Sequence, residues 1–283
     1  MRWQGQEESG NVEDRRGIGG GHIAVGGGII GVIVLLFNLF TGNNVDPSQL
    51  PIGNGQQSTQ LSPDQKAAQD DQAKFSKVVL RSTEKVWAQQ LPQQVNVAYT
   101  NPILVLFNDA TQSGCGGASS ATGPFYCPAD QKLYLDLSFF DMLSNRFHAA
   151  GDFAKAYVIA HEVGHHIQYL LGTSDKMDRL RQRLSEEEYN KYSVKLELQA
   201  DFFAGVWAHY AQGQGLLEAG DMESALKAAQ AIGDDQLQKE AQGYAVPESF
   251  THGTSAQRMF WLKKGFETGD IKQGDTFNDS SLQ

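Results

Sequence analysis

The sequence predicts an α+β domain, mostly helical with a small sheet, preceded by one transmembrane helix. Three observations carry this expectation. An uncharged apolar run covers residues 23–40, two short β-like runs lie at Ile103–Phe107 and Lys132–Asp136, and the apolar spacing after Asp136 is helical. A chain of 283 residues is long enough for one medium domain with a real core.

Residues 1–22 read as a short polar stub. The run from Ile23 to Phe40 holds Ile29, Ile30, Val32, Ile33, Val34, Leu35, Leu36 and Phe37 and no charge. As a helix it would span roughly 27 Å, close to the thickness of a bilayer's hydrocarbon core. A cleaved signal peptide is the rival reading, but no small-x-small site follows Phe40. Arg2, Arg15 and Arg16 precede the run, and no Lys or Arg follows it until Lys66. The positive-inside rule then places the stub in the cytoplasm and the rest of the chain outside. The expected location is the cytoplasmic membrane, crossed once, with the following domain on the periplasmic or cell-surface side. Residues 41–62, rich in Gly, Asn, Gln, Ser and Pro, read as a flexible linker.

The folded domain is expected over 63–283. Ser62 as N-cap, Pro63 at the first helical position and Asp64 in the first turn start a helix. Phe75, Val78, Val79, Val86 and Leu91 supply its apolar stripe, and Pro92 is expected to stop it. A Gly- and Ser-rich loop between the two β-like runs holds both cysteines, Cys115 and Cys127. Outside the cytoplasm a disulfide between them is permitted, and in the chain-entropy model it would stabilise by roughly 3 kcal/mol. Further on, Asp152 can cap a helix that Gly172 ends, Ser185 and Glu188 form a capping box, and Thr254 or Ser255 can cap a last helix.

Composition excludes some functions. There are 33 acidic and 23 basic residues, a formal charge of -10, so no basic surface for nucleic acid is expected. Two cysteines cannot make a disulfide scaffold or a four-cysteine zinc site.

The chemistry lies in His161-Glu162-Val163-Gly164-His165. On a helix, positions i and i+4 share a face, so His161 and His165 can grip one metal ion. Glu162 then stands beside the metal, where it can take a proton from metal-bound water. Catalytic zinc wants a third protein ligand and an open position. Gln168 and Leu171 stand where a metzincin would need Gly and His, so that arrangement is excluded. Glu197 and Asp201, again i and i+4, fit a second helix: Glu197 as third ligand, Asp201 accepting the outer N–H of a ligand His. Ala200, Ala204, Gly205 and Ala208 would let the two helices approach closely. His252 and Arg258 could reach the zinc and donate to the oxyanion of a tetrahedral intermediate. His166 reads as structural, and His22, His148 and His209 stand alone.

These residues resemble the predicted neutral zinc metallopeptidase family of bacteria, single-span anchored zincins. The likeness rests on Ser113-Gly114-Cys115-Gly116, on Gly123 to Asp130, on His161 to His166, on Glu197 to Asp201 and on His252 to Arg258. A more distant likeness is to membrane-linked gluzincins of the prenyl-protein protease type. The resemblance implies a zincin-like fold and a zinc-dependent peptidase, with Glu162 activating a zinc-bound water against a peptide or protein substrate. It supports the roles given to Glu197, Asp201, His252 and Arg258. The alternative is a membrane-anchored scaffold or adaptor whose zinc is structural. A third reading is hydrolysis of a non-peptide amide of the cell envelope. A strand within 123–135 could offer its edge to an extended peptide.

Overall fold

The computed structural model describes residues 1–17, 62–147, 149 and 151–282. The apolar run at 23–40 lies outside these residues, as do nearly all of the expected linker, His22 and His148. Among the described residues no helix is long and apolar enough to cross a membrane.

Residues 1–17 pack into the folded domain and do not stand apart from it as a stub. Val12–Asp14 is strand β1, paired in parallel with β2, Ile103–Phe107, in the register Val12↔Leu104 to Asp14↔Leu106. Trp3 is buried, its ring edge-on to Phe75, and its Nε1 donates to Asp152 Oδ2 at 2.9 Å. That bond also explains why Asp152 does not cap its helix: Gly151 holds the cap position, and Asp152 faces the N-terminal arm. The Arg residues that suggested a topology signal are ion-paired in the fold. Arg2 pairs with Glu218, Arg15 with Glu13, and Arg16 with Asp14 and Asp70.

The first long helix, α1 (Pro63–Val95), begins as expected: Ser62 Oγ accepts from Gln65 N–H, and the Gln65 side chain accepts from Ser62 N–H. It does not stop at Pro92. Proline removes a donor to the turn before it but leaves its own carbonyl free, and that carbonyl accepts from Asn96 N–H, the left-handed cap. Gln94 ties down the added turn, donating to Gly269 O and accepting from Ile271 N–H. Tertiary bonds thus override a local stop signal.

Strand β2 pairs in parallel with β6 (Lys132–Asp136), and β5 (Phe125–Cys127) runs antiparallel to β6. The sheet order is β1-β2-β6-β5, so β5 lies at one edge. The expected loop between the β-like runs is more ordered than its composition suggests. It forms a hairpin, β3 (Ala110–Ser113) and β4 (Gly116–Ser119), and the Cys115–Cys127 disulfide fastens the hairpin to β5.

Helices follow: α2 (Ser138–Asn145), α3 (Asp152–Leu170), α4 (Thr173–Arg181), α5 (Glu186–Gly213), α6 (Asp221–Ala231), α7 (Asp234–Gln242) and α8 (Ser255–Thr268). Capping boxes start α5 at Ser185 and Glu188 and α8 at Thr254 and Gln257. The α1, α3, α5 and α8 helices enclose the core, with Trp87, Phe153, Phe203, Trp207 and Trp261 at most 1% exposed.

Two close crossings position the site. A Cβ on Gly164 of α3 would lie 2.8 Å from Ala200 O, so the small residues at 164 and 200 set the α3–α5 approach. Gly205 serves a different crossing from the one expected. It faces α8, where a Cβ on Gly205 would fall 2.1 Å from Leu262 O and one on Gly265 would fall 2.0 Å from Phe202 O. Both obstacles are backbone, so α5 and α8 must part if either glycine gains a methyl. Gly265→Ala is expected to destabilise by about 3 kcal/mol or more; a denaturation midpoint unchanged from wild type would contradict this packing.

Candidate metal centre

Helix α3 carries His161 and His165 on one face, and α5 carries Glu197 opposite them. One ligand atom from each of the three lies within 4.8 Å of the others. Glu197 Oε2 is 3.1 Å from His161 Nε2, and Oε1 is 3.5 Å from His165 Nε2. The orientation of the rings follows from what holds their other nitrogen. His161 Nδ1 donates to Asp201 Oδ1 at 2.8 Å, and His165 Nδ1 donates to Gln168 Oε1 at 2.8 Å. Both Nε2 atoms are thereby turned toward Glu197, as metal ligands require. Two imidazole nitrogens and one carboxylate oxygen are a donor set suited to catalytic zinc, and among the described residues no fourth His, Cys, Asp or Glu joins the group.

The side chains of the site set one another's charge. Burial by itself would lower the His161 pKa, but Asp201 and Glu197 outweigh it and push it up to about 10. Burial opposes the charged form of His165 as well, and Glu197 raises it nonetheless. Burial works against ionised Glu197, yet His165, His252 and His161 hold it well below the usual carboxylate range. A ligand imidazole must be neutral. Metal uptake at pH 7 is therefore expected to expel the proton held by His161, and apparent zinc affinity to fall as pH drops. Calorimetry in buffers of different ionisation heat measures this; uptake with no proton release would contradict it.

Glu162 is nearly buried and lies next to the ligands without being one of them. Desolvation raises its pKa, and this outweighs the pull of His165 and His161. A carboxylate with a raised pKa is suited to taking and returning a proton near neutral pH.

Behind His161 lies a buried polar cluster. Asp201, fully buried, accepts from His161 Nδ1, from Tyr157 Oη at 2.6 Å and from Arg258 Nη2 at 3.0 Å on Oδ1, and from Arg258 Nε at 2.9 Å on Oδ2. Arg258 and His161 outweigh burial and hold the Asp201 carboxyl down at about 2. This corrects the expectation that Arg258 donates to an oxyanion. Its guanidinium is 3% exposed and its remaining bonds go to Tyr157 Oη and Ile232 O, so it positions Asp201 instead.

His252 lies on the other side of the site. Its loop leans on α5 around Glu197, since a Cβ on Gly253 (φ +91°) would touch Val194 and Leu198. Asp234, 1% exposed, grips that loop: Oδ2 accepts the N–H groups of Thr251, His252 and Gly253 at 2.6–2.9 Å. Asp234 Oδ1 is 3.4 Å from His252 Nδ1. Burial opposes protonation of His252, but Glu197 and Asp234 raise its pKa.

His166 is structural in this arrangement. Its Nε2–H donates to Thr100 O at 2.7 Å, and its Nδ1 meets Tyr126 Oη at 3.0 Å. Burial pushes it down to about 4, so it stays neutral. Through Tyr126 it ties edge strand β5 to α3.

Three residues of the site escaped the sequence reading. Tyr157 and Gln168 flank the motif at i−4 from His161 and i+3 from His165, spacings that put them on the ligand face. Gln168 is buried and also donates to Leu196 O, binding His165 to the turn that carries Glu197. Asp234 gave no local signal, because its partners lie 17 to 19 residues away.

The family described as "Putative neutral zinc metallopeptidase" matches residues 1–277. The chain is 49% identical to "Uncharacterized protein YpfJ" of Escherichia coli K12, over 99% of this chain and 100% of that one. It is 42% identical to "Uncharacterized protein Mb2605" of Mycobacterium bovis and "Uncharacterized protein Rv2575" of Mycobacterium tuberculosis, over 71% of this chain and 69% of theirs. No solved structure matches. The family implies zinc, and His161, His165 and Glu197 form the group that can hold it. By the extent of the match and the identity to its relatives, the chain belongs to the neutral zinc metallopeptidase family.

Proposed function

We propose that the chain is a zinc-dependent peptidase that hydrolyses internal peptide bonds. The observation that carries this reading is the three-ligand group with Glu162 beside it: a structural zinc site needs neither an open position nor a buried base. His161, His165 and Glu197 would hold the zinc, which would supply Lewis acidity at the reacting carbonyl and water. Glu162 takes the proton of the attacking water and delivers it to the leaving amine. His252, held by Asp234 and with its pKa raised by Glu197 and Asp234, donates to the developing oxyanion. Asp201, fixed by Arg258 and Tyr157, keeps His161 in the tautomer that presents Nε2.

The substrate lies extended along β5, whose outer edge has no strand beside it among the described residues. Main-chain bonds to such an edge favour a peptide over a compact amide of another kind. The test is to incubate the zinc-loaded full chain with a mixture of unstructured peptides and to sequence the new ends. Cleavage that stops on chelation and returns with zinc is expected. A zinc-loaded, folded chain that cleaves none of them would contradict the reading.

A further inference from the structure

Residues 1–17 and the chain from Ser62 onward are described on either side of residues 18–61. Both flanks belong to the same packed unit. β1 forms a ladder with β2, and Arg15 N–H continues it to Leu106 O at 2.7 Å. Glu84 of α1 is 2% exposed and accepts from Ser9 Oγ at 2.6 Å and from Asn11 Nδ2 at 2.7 Å. Without the arm, that buried carboxylate would keep, among the described residues, its ion pair with Arg81 and lose both neutral donors, a costly state. Glu7 bridges Arg81 and Lys85, and Arg16 Nη2 reaches Asp70 Oδ1 at 3.1 Å. The arm is thus matched to α1 and β2 along its whole length by burial, ladder bonds and charge.

A single crossing between residues 17 and 62 would hold β1 and β2 on opposite faces of a membrane, about 30 Å apart. Paired strands lie about 4.8 Å apart. The two arrangements exclude each other. The side is set by Cys115–Cys127, because a structural disulfide persists on the oxidising side of the cytoplasmic membrane.

We propose that residues 1–17 and the metal site share one compartment, the oxidising side of the cytoplasmic membrane, with the N-terminal arm serving as an integral strand of the domain. This does not rest on the peptidase reading, and neither outcome below bears on hydrolysis.

Thiol labelling tests it on the full chain in bacterial cells. Among the described residues the chain has no free cysteine, so an introduced thiol reports alone. Gln6→Cys marks the arm and Lys191→Cys marks α5, both at exposed positions that the site does not use. A membrane-impermeant maleimide is applied after permeabilising the outer envelope only, then again after lysis. Both thiols are expected to label fully before lysis. Protection of either thiol until lysis would overturn the proposal. Zinc content of each variant, expected to equal wild type, checks that the fold is retained.

Discussion

Glu162→Gln is expected to keep one zinc per chain and to lose roughly 10²–10⁴-fold in peptide hydrolysis, the usual worth of a positioned general base. The amide has nearly the shape of the carboxyl, and Glu162 is not among the three residues whose ligand atoms converge. Zinc content should therefore not change. What the amide cannot do is accept a proton. The raised pKa of Glu162 comes first from desolvation, and the variant removes the carboxylate that this burial tunes toward proton transfer. Turnover equal to wild type at full zinc loading would remove Glu162 from the mechanism. Loss of zinc together with turnover would show that Glu162 has a ligand's role.

Asp201→Ala is expected to be the most damaging single change to the site's support. Asp201 is fully buried and accepts four hydrogen bonds, two of them from Arg258. Its removal leaves the Arg258 guanidinium buried without its carboxylate. Breaking such a pair from one side costs about 3–5 kcal/mol. His161 Nδ1 also loses its acceptor, and loss of an outer partner of a ligand His lowers metal affinity roughly 10–100-fold. The two effects separate in a double variant. Asp201→Leu with Arg258→Met removes both charges, so stability should recover in part while zinc affinity stays low. Recovery of both would mean that Asp201 acts on the metal only through the fold. Wild-type stability in Asp201→Ala would contradict the geometry itself.

Much of the site is legible in the sequence because its parts are local. His161, Glu162 and His165 share one helical turn, Glu197 and Asp201 share another, and the spacing alone puts each set on one face. The capping boxes at Ser62, Ser185 and Thr254 are equally local. The misreadings occur where distant partners decide. Pro92 reads as a stop because the bonds of Gln94 to Gly269 and Ile271 lie more than 170 residues away. Arg258 reads as a free cation in a loop-to-helix segment, and only the fold shows that Asp201 has already claimed it. Arg2, Arg15 and Arg16 enter a sequence reading only as a count of basic residues, and the fold adds the acidic partners, partly adjacent and partly remote, that each of them pairs with. β1 is three residues long, too short for an alternation pattern to reveal.

Zinc content of the full chain, in wild type and in Glu197→Ala, tests the central claim most directly. The full chain is required because β1 is part of the sheet. Wild type is expected to hold one zinc per chain, and Glu197→Ala to lose most of it while remaining folded. A well-folded wild type with no zinc after loading, or a variant that keeps its zinc undiminished, would contradict the three-ligand site on which the proposed chemistry depends.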